Sequence, residues 1–268
     1  MSISVGVSTA SLFLRHDNEE AVQVLDGLGV GVAEVFLTTF SEYKPAFAKT
    51  LKEKAGSLQM HSVHILNSQV EPQLFNRHHL VKADSFAILD EVMQSAKVLG
   101  AGYYTFHGGA RFKKASRNPL NDDFARMGAC IREIYDFCKA RGVELCLENV
   151  EWSTYNRPGV FAEMQKYAPD LKGVLDIKQA RISGAPYEEY LQEMGESIAT
   201  VHLSDIRANG KMCLPGQGVL DFETLVKRLL DVGFDGPMLI EAYKDDYQEV
   251  IELKRACEFL QEILYKFL

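Results

Sequence analysis

The sequence predicts an α/β protein, a single-domain (β/α)8 barrel that spans residues 1–268. Short runs rich in β-branched and aromatic residues alternate with longer segments of helical period, and this unit occurs eight times. A length of 268 residues is ordinary for one such barrel. The sequence shows no linker, charge block or low-complexity tract at which to divide the chain. We therefore expect one closed barrel.

Each predicted strand is followed by a segment of helical period, as a parallel sheet built from βα units requires. The predicted strands cover residues 3–8, 32–37, 58–64, 103–107, 143–148, 173–176, 199–204 and 238–241. Asp17 and Asp221 are predicted to cap the helices that follow them, because a carboxylate accepts hydrogen bonds from first-turn amides. Gly100, Gly142 and Gly233 are predicted to close helices shortly before the next strand.

Eight βα units can close into a barrel or form an open, doubly wound sheet. No G-x-G-x-x-G segment follows the first strand, and the sequence contains no G-x-x-x-x-G-K-[ST] phosphate loop. The signatures of the open nucleotide-binding sheets are thus absent, which favours the barrel.

Composition and charge limit the classes of partner. The formal net charge is −8, so the chain lacks the basic surplus that binds a phosphate backbone, and no nucleic acid partner is expected. Five scattered cysteines without a Cys-x-x-Cys pair fit a reducing cytoplasm. The sequence has no basic leader before an apolar core and no apolar run of about 20 residues. We expect a cytoplasmic protein with no membrane partner.

Polar residues recur where the predicted strands end, and in a closed barrel these ends meet at one mouth. They are His64, His107, Glu148, Asp176, His202 and Glu241. Strand alternation separates them from bulky apolar neighbours that would lie under the helices. The six polar side chains are therefore predicted to converge. The same alternation turns Glu34 inward, to orient a histidine or to serve as a structural acid, and turns His61 away from the side of His64.

Charge arithmetic predicts a cation among these groups. Two carboxylates about 4 Å apart repel by about 4 kcal/mol at an effective dielectric near 20. Glu148, Asp176 and Glu241 would form several such pairs, so they must bind a cation or take up protons. Three oxygen ligands and one imidazole from His202 favour Mn2+, with Zn2+, Co2+ and Mg2+ as alternatives.

Several short segments, in this order and spacing, resemble the xylose isomerase-like sugar isomerases and epimerases. This barrel superfamily also contains the endonuclease IV-type apurinic-site nucleases. The resemblance covers nearly the whole chain. The matching segments are HGG at residues 107–109, LEN at 147–149, LDIKQA from 175, VHLSD at 201–205, LPGQGVLDF from 214 and LIEAY around 241.

The resemblance implies that Glu148, Asp176, His202 and Glu241 are the shared metal ligands. It further implies that His64 and His107 join a second metal or contact the substrate. Two positions depart from the family. Gln179 stands where several epimerases have histidine and where the nucleases have the histidine of an Asp-x-x-His motif. Ala208 stands where an arginine is expected, so Gln179 and Arg207 become candidate substrate contacts. The segment 209–215 lacks the Asp-x-His of the nucleases, which leaves their third metal without ligands.

These inferences predict a divalent-metal-dependent isomerase or epimerase that acts on a small sugar or polyol-derived keto substrate through an enediolate. Glu148 and Glu241 are the predicted catalytic acid and base. A metal-dependent phosphoester hydrolase and a sugar-derivative dehydratase remain open as alternatives, as does an inactive sugar-binding barrel.

Phe13, Phe112 and Trp152 follow strands and are candidates for an apolar pocket wall or for loop anchors. The expected partner is a small carbohydrate, and a homo-oligomer is left open.

Overall fold

A computed structural model describes residues 3–66, 70–110 and 124–267 and contains a closed barrel of eight parallel strands. In chain order the barrel strands are β1 (Ser4–Ser8), β2 (Val32–Leu37), β3 (Gln59–Ile65), β4 (Tyr103–Phe106), β5 (Glu144–Glu148), β6 (Lys172–Asp176), β7 (Ile198–Leu203) and β10 (Pro237–Ile240). Around the barrel they run in the order β1-β10-β7-β6-β5-β4-β3-β2. Between the last two lies a small antiparallel hairpin of β8 (Asp205–Ile206) and β9 (Met212–Cys213).

Helices connect the strands and cover the outside of the barrel. They are α1 (Asn18–Gly27), α2 (Pro45–Lys54), α3 (His79–Leu99), α4 (Phe124–Lys139), α5 (Val160–Gln165), α6 (Ile177–Ser183), α7 (Tyr187–Met194), α8 (Phe222–Asp231) and α9 (Ile251–Tyr265). Short 3-10 helices occur at Thr9–Leu12, Glu71–Phe75 and Gly195–Ser197. Among the described helices, none combines the length and apolarity needed to span a bilayer.

The predicted barrel is confirmed, and each observed strand boundary lies within one residue of the prediction. Asp221 caps α8, where its Oδ1 accepts a hydrogen bond from the Thr224 amide at 3.0 Å. Gly100 ends α3 in the left-handed conformation at φ 81°. Asp17 stands at the N-cap of α1, but its side chain accepts no hydrogen bond there, so the predicted carboxylate cap is wrong.

The strands separate two apolar layers, as their alternation predicts. Val63, Leu147, Val201 and Ile240 are fully buried and belong to the large core between the sheet and the helices. Cys146 and Val174, one residue out of phase with that set, belong to a separate small cluster that also contains Ala199. The polar strand-end residues share the phase of the small inner cluster, so they extend into the barrel mouth.

A β-bulge in β3 overturns the prediction for His61. The pairing with β2 advances from Met60 directly to Ser62, which leaves His61 as an extra residue. Its Nε2 lies 3.0 Å from the Thr200 hydroxyl on β7, four strands away around the barrel. A contact between such distant strands crosses the barrel interior, so His61 points inward. Alternation failed because one extra residue reverses the facing of a side chain.

Candidate active site

Six polar side chains meet where the barrel strands end, as the sequence predicts. All are buried, with 1 to 9% of each residue exposed, and they are His64, His107, Glu148, Asp176, His202 and Glu241. The first five lie within or directly after β3, β4, β5, β6 and β7, and Glu241 directly follows β10. Parallel strands bring these ends to one edge, which explains how residues so distant in sequence become neighbours.

Four of these residues form a compact ligand set. Glu148, Asp176, His202 and Glu241 each offer one nitrogen or oxygen atom, and the four atoms lie within 4.8 Å of one another. His202 Nδ1 is 3.0 Å from Glu148 Oε1 and 2.8 Å from Glu241 Oε2. Ligands on opposite sides of a divalent ion are separated by roughly 4 Å, so a small contraction brings all four into contact with one ion. The donor set therefore fits a divalent cation.

Glu241 supplies a second sign that a cation belongs here. Its Oε2 atom is buried, and its close polar neighbour is His202 Nδ1 at 2.8 Å, which also lies 3.0 Å from Glu148 Oε1. One ring nitrogen cannot satisfy two buried carboxylate oxygens fully, and coordination of both oxygens to a cation removes that cost.

Asp176 is fixed by its neighbours on both sides. Its amide donates to Asn149 Oδ1 at 2.8 Å, and the Asn149 side chain donates back to the Asp176 carbonyl at 2.7 Å. Asp176 Oδ1 also caps α6 by accepting from the Gln179 amide at 2.7 Å. The chain turns from strand to helix at this residue, so the carboxylate stays at the barrel mouth.

The electrostatics show an excess of negative charge in the site. Burial, together with the nearby Glu148 and Glu241 carboxylates, raises the pKa of Asp176 to about 7 against the opposing charge of Lys178. Burial alone would lower the pKa of His202, but the carboxylates of Glu241 and Glu34 hold it well above its usual range. Protons therefore compensate the acids when no cation does, as the sequence argument expects.

Glu34 is the group that orients two of the histidines. It is fully buried, and its Oε1 lies 3.2 Å from both His64 Nδ1 and His202 Nε2. Ser62 and Thr105 donate to its other oxygen at 2.8 and 2.6 Å. A carboxylate behind a ligating histidine fixes the tautomer and the ring plane. The inward position predicted for Glu34 is confirmed, and its contacts favour the orienting role.

Glu71 orients the remaining histidine. It lies in the 3-10 helix Glu71–Phe75, is fully buried, and its Oε2 is 3.1 Å from both the amide and the Nδ1 of His107. Tyr104 donates its hydroxyl proton to the other oxygen at 2.7 Å. Because Glu34 holds His64 Nδ1 and Glu71 holds His107 Nδ1, the Nε2 atoms of both rings are directed into the site.

A cavity of about 470 Å³ opens beside the ligand set. The polar residues of its lining are His64, His107, Glu148, Gln179 and Glu241. The aromatic residues of its lining are Phe13, Phe36, Trp152 and Tyr243. Phe13 and Trp152 thus line the pocket wall, as predicted, whereas Phe112 lies outside the described residues. A largely apolar cavity with a few convergent polar groups is the usual form of a small-molecule site.

Gln179 and Arg207, the two candidate substrate contacts, occupy different positions. Gln179 lines the cavity, and its side-chain oxygen lies 3.4 Å from the Glu151 amide nitrogen. Arg207 is exposed beside the β8–β9 hairpin and donates to Gln217 Oε1 at 2.9 Å, away from the residues that line the cavity. Of the two candidates, the cavity is therefore lined by Gln179 and not by Arg207.

Sequence reasoning missed Glu71 and Lys178. Glu71 lies in a 3-10 helix rather than at the end of a strand, so no strand-end pattern marks it. Lys178 is the second residue of α6, a position where a solvated charge is ordinary, yet it is 3% exposed. The available signal was its place within two residues of Asp176 in the LDIKQA segment.

Comparisons with known proteins identify the family and the fold. The profile of the xylose isomerase-like TIM barrel family matches residues 22–263. An uncharacterised protein from Methanocaldococcus jannaschii is 22% identical over 98% of this chain and 100% of its own length. Fructoselysine 3-epimerase from Escherichia coli O157:H7 is 22% identical over 60% of each chain.

Two solved structures show the same fold. D-psicose 3-epimerase from Clostridium cellulolyticum H10, crystallised with D-tagatose, superposes with a TM-score of 0.78 at 17% identity, covering 98% of this chain and 99% of the other. The IolI protein with a bound zinc atom superposes with a TM-score of 0.76 at 17% identity, covering 99% of both chains. At this level of identity, the likeness establishes the barrel and its connectivity.

Proposed function

The chain belongs to the xylose isomerase-like TIM barrel family, and we propose that it is a divalent-metal-dependent epimerase or isomerase of a small sugar or polyol-derived ketone. The observation that carries the proposal is a quartet of ligands beside the cavity, namely Glu148, Asp176, His202 and Glu241. Their ligand atoms lie within 4.8 Å of one another. Mn2+ is the favoured ion, because three oxygen ligands and one imidazole suit it, with Zn2+, Co2+ and Mg2+ as alternatives.

The two glutamates of the quartet are suited to proton transfer. A divalent cation held there supplies Lewis-acid polarisation of adjacent carbonyl and hydroxyl oxygens. Glu148 places Oε1 near His202 and Oε2 near His107, and Glu241 places Oε2 near His202 and Oε1 near Lys178. Each glutamate therefore has one oxygen in the ligand set and one outside it. The outer oxygens take a proton from the carbon beside the carbonyl and return it.

The stereochemical outcome depends on where the proton returns. Glu148 ends β5 and Glu241 follows β10, three positions apart around the barrel, so the two acids approach the cavity from different sides. Return by the second acid to the opposite face of the same carbon produces an epimer. Return to the neighbouring carbon produces an aldose–ketose isomerisation, and loss of hydroxide produces a dehydration.

The remaining cavity residues bind and shield the substrate. His64 and His107 direct their Nε2 atoms into the site and form hydrogen bonds with substrate oxygens, and Gln179 adds a further polar contact. Phe13, Phe36, Trp152 and Tyr243 supply the aromatic part of the lining and exclude water from the intermediate.

A phosphoester hydrolase is the second candidate, because one observation favours it. His64, His107 and Glu148 form another ligand group with atoms within 4.8 Å of one another, and paired metal ions are common in hydrolases. Against it, Gln179 replaces a third-metal ligand of the nucleases, and the net charge of −8 opposes a polyanionic substrate.

A screen in deuterated water tests the proposal. Purified protein with added Mn2+ is incubated separately with ketoses, inososes and hydroxy acids, and deuterium is located by NMR. We expect deuterium at the carbon next to the carbonyl of one substrate class, with appearance of its epimer or isomer. Absence of exchange with every compound, together with hydrolysis of phosphoesters under the same conditions, would replace the proposal with the hydrolase.

A further inference from the structure

We infer that Lys178 is a positioning residue for Glu241: its buried ammonium holds the outer carboxylate oxygen away from the ligand set and keeps it available for proton transfer. The role in proton transfer rests on the proposed function, whereas the effect on the ligand set is independent of any substrate.

Lys178 has an unusual environment for a lysine. Its side chain is 2% exposed, and its Nζ lies beyond hydrogen-bond distance of every carboxylate within the described ranges. The nearest carboxylate oxygen is Glu241 Oε1 at 3.9 Å, and the Tyr243 ring lies under the ammonium with its centroid at 3.9 Å. Lysine normally extends its charged end into water, so enclosure of this ammonium has to be compensated by the groups around it.

The place of Lys178 at the start of a helix is also unfavourable for a positive charge. Lys178 lies in the first turn of α6, where free N–H groups already carry partial positive charge. The compensation comes from the acids of the site, since Glu241 faces the ammonium and Asp176 precedes it by two residues. The lysine therefore depends on the ligand set, and the converse dependence follows from the geometry of Glu241.

The two oxygens of Glu241 have different neighbours. Oε2 is 2.8 Å from His202 Nδ1, inside the ligand set, while Oε1 faces Lys178. A carboxylate beside a divalent cation can turn both oxygens towards it. Attraction between Oε1 and the ammonium opposes that rotation. Lys178 thus keeps one oxygen outside the ligand set, which is the oxygen that the proposed proton transfer requires.

Charge balance points the same way. Glu148, Asp176 and Glu241 carry three negative charges, and one divalent cation leaves a single negative charge on the group. The ammonium of Lys178 cancels it. Removing that ammonium makes the site more negative, so a divalent cation will bind more tightly.

The test uses Lys178→Met, which keeps the length of the side chain and removes the charge, and Lys178→Arg, which keeps the charge. Lys139→Met is the matched control, because Lys139 also pairs with an acid, Asp170, but lies on the exposed face of α4. Each metal-free protein is titrated with Mn2+ by calorimetry. We expect Lys178→Met to bind Mn2+ on the order of tenfold more tightly, with the two other variants unchanged.

Kinetics and structure give independent measurements. With a substrate found by the deuterium screen, Lys178→Met should lose on the order of a hundredfold in kcat with little change in KM, and Lys178→Arg should recover part of the loss. A crystal structure of Mn2+-loaded Lys178→Met should show both oxygens of Glu241 turned to the ion. Damage to the fold would instead weaken Mn2+ binding.

Unchanged or weaker Mn2+ binding in Lys178→Met would overturn the inference, as would full kcat. If Lys178→Met does not fold, Lys178→Gln replaces it, and the same tighter binding is required. If the wild-type protein exchanges no substrate, the proposed function fails, while the calorimetric comparison still decides the role of Lys178.

Discussion

His64 Nε2 lies 2.9 Å from His107 Nε2, and each ring has its Nδ1 beside a buried carboxylate, Glu34 for His64 and Glu71 for His107. If both Nδ1 atoms carry protons, two lone pairs face each other unless one ring holds a second proton. Burial opposes that proton, but Glu34 raises the pKa of His64 to about 9. A proton or a second cation therefore has to occupy the space between the rings.

We predict that a proton, rather than a second metal ion, occupies this space at rest. One divalent ion together with Lys178 neutralises the three carboxylates of the quartet, so the quartet has no remaining negative charge to attract a second divalent ion. Purified protein should contain one equivalent of metal, measured by mass spectrometry. His64→Ala and His107→Ala should retain that equivalent and raise KM by about tenfold through loss of a substrate hydrogen bond. Two equivalents falling to one in either variant would contradict the single-metal site.

The glutamates of the quartet allow a direct test of the proton-transfer assignment. Glu148→Gln and Glu241→Gln keep the size of each side chain but remove the group that accepts a proton. Each should lower solvent-deuterium exchange into the substrate by about 100-fold or more, with an unchanged circular dichroism spectrum.

Metal content has to be measured in the same two variants, because both residues also belong to the ligand set. Exchange is therefore compared at saturating Mn2+. Glu193→Gln is a suitable control, since Glu193 accepts a hydrogen bond from Tyr155 far from the cavity. Normal exchange in either variant at saturating metal removes that glutamate from the mechanism.

Glu34→Gln should weaken metal binding without removing a ligand. The amide cannot accept from Ser62, Thr105 and the two histidines as the carboxylate does, so His202 loses its fixed orientation. Loss of such a supporting carboxylate typically lowers metal affinity by 10- to 100-fold. Calorimetry with Mn2+ measures the change, and unaltered affinity would show that His202 is oriented by other contacts.

Cleavage of abasic DNA should be absent. Gln179 stands in place of a nuclease metal ligand, the segment 209–215 offers no replacement, and the net charge of −8 opposes DNA binding. Incubation of the purified protein with an abasic duplex, with Mn2+ and separately with Zn2+, should leave the strand intact. Efficient cleavage of the abasic duplex by a stoichiometric amount of enzyme would contradict this prediction.

The sequence was sufficient to place the strand-end residues, because parallel strands and side-chain alternation leave few choices. Glu148 and His202, 54 positions apart, could be brought together from the count of strands and their phase. The same reasoning could not find Glu71, which reaches His107 from a short 3-10 helix outside the strands. The alternation of strand residues says nothing about the direction of a side chain in such a segment.

The failure at His61 has a different cause. A bulge adds one residue to β3 and reverses the facing of that residue, and nothing in the run QMHSVH marks where the extra residue falls. Lys178 was missed because its burial depends on Glu241 and Tyr243, which come from the other end of the chain. The helical period predicts which side of a helix faces the core, but it does not show which residues from elsewhere in the chain cover the other side.

His61 also provides a prediction about stability. Burial lowers the pKa of His61 from its ordinary value of 6.5, so the folded protein favours the neutral ring, which contacts Thr200 at 3.0 Å. Between the folded and the unfolded pKa values, the unfolded chain binds more protons than the folded chain. The contribution of His61 to stability is therefore complete above about pH 6.5 and is lost as the pH falls towards the folded pKa.

His61→Gln replaces the ring with an amide that does not titrate but can still bond to Thr200. Urea unfolding of both proteins at pH 7.5 and pH 5.5 measures the change in free energy of unfolding. We expect the wild type to lose more stability than the variant over this interval. His16→Gln is the control, because it makes the same substitution at a half-buried histidine outside the barrel interior, beside Glu20. An equal loss in the wild type and His61→Gln would mean that His61 accepts its proton freely in the folded barrel.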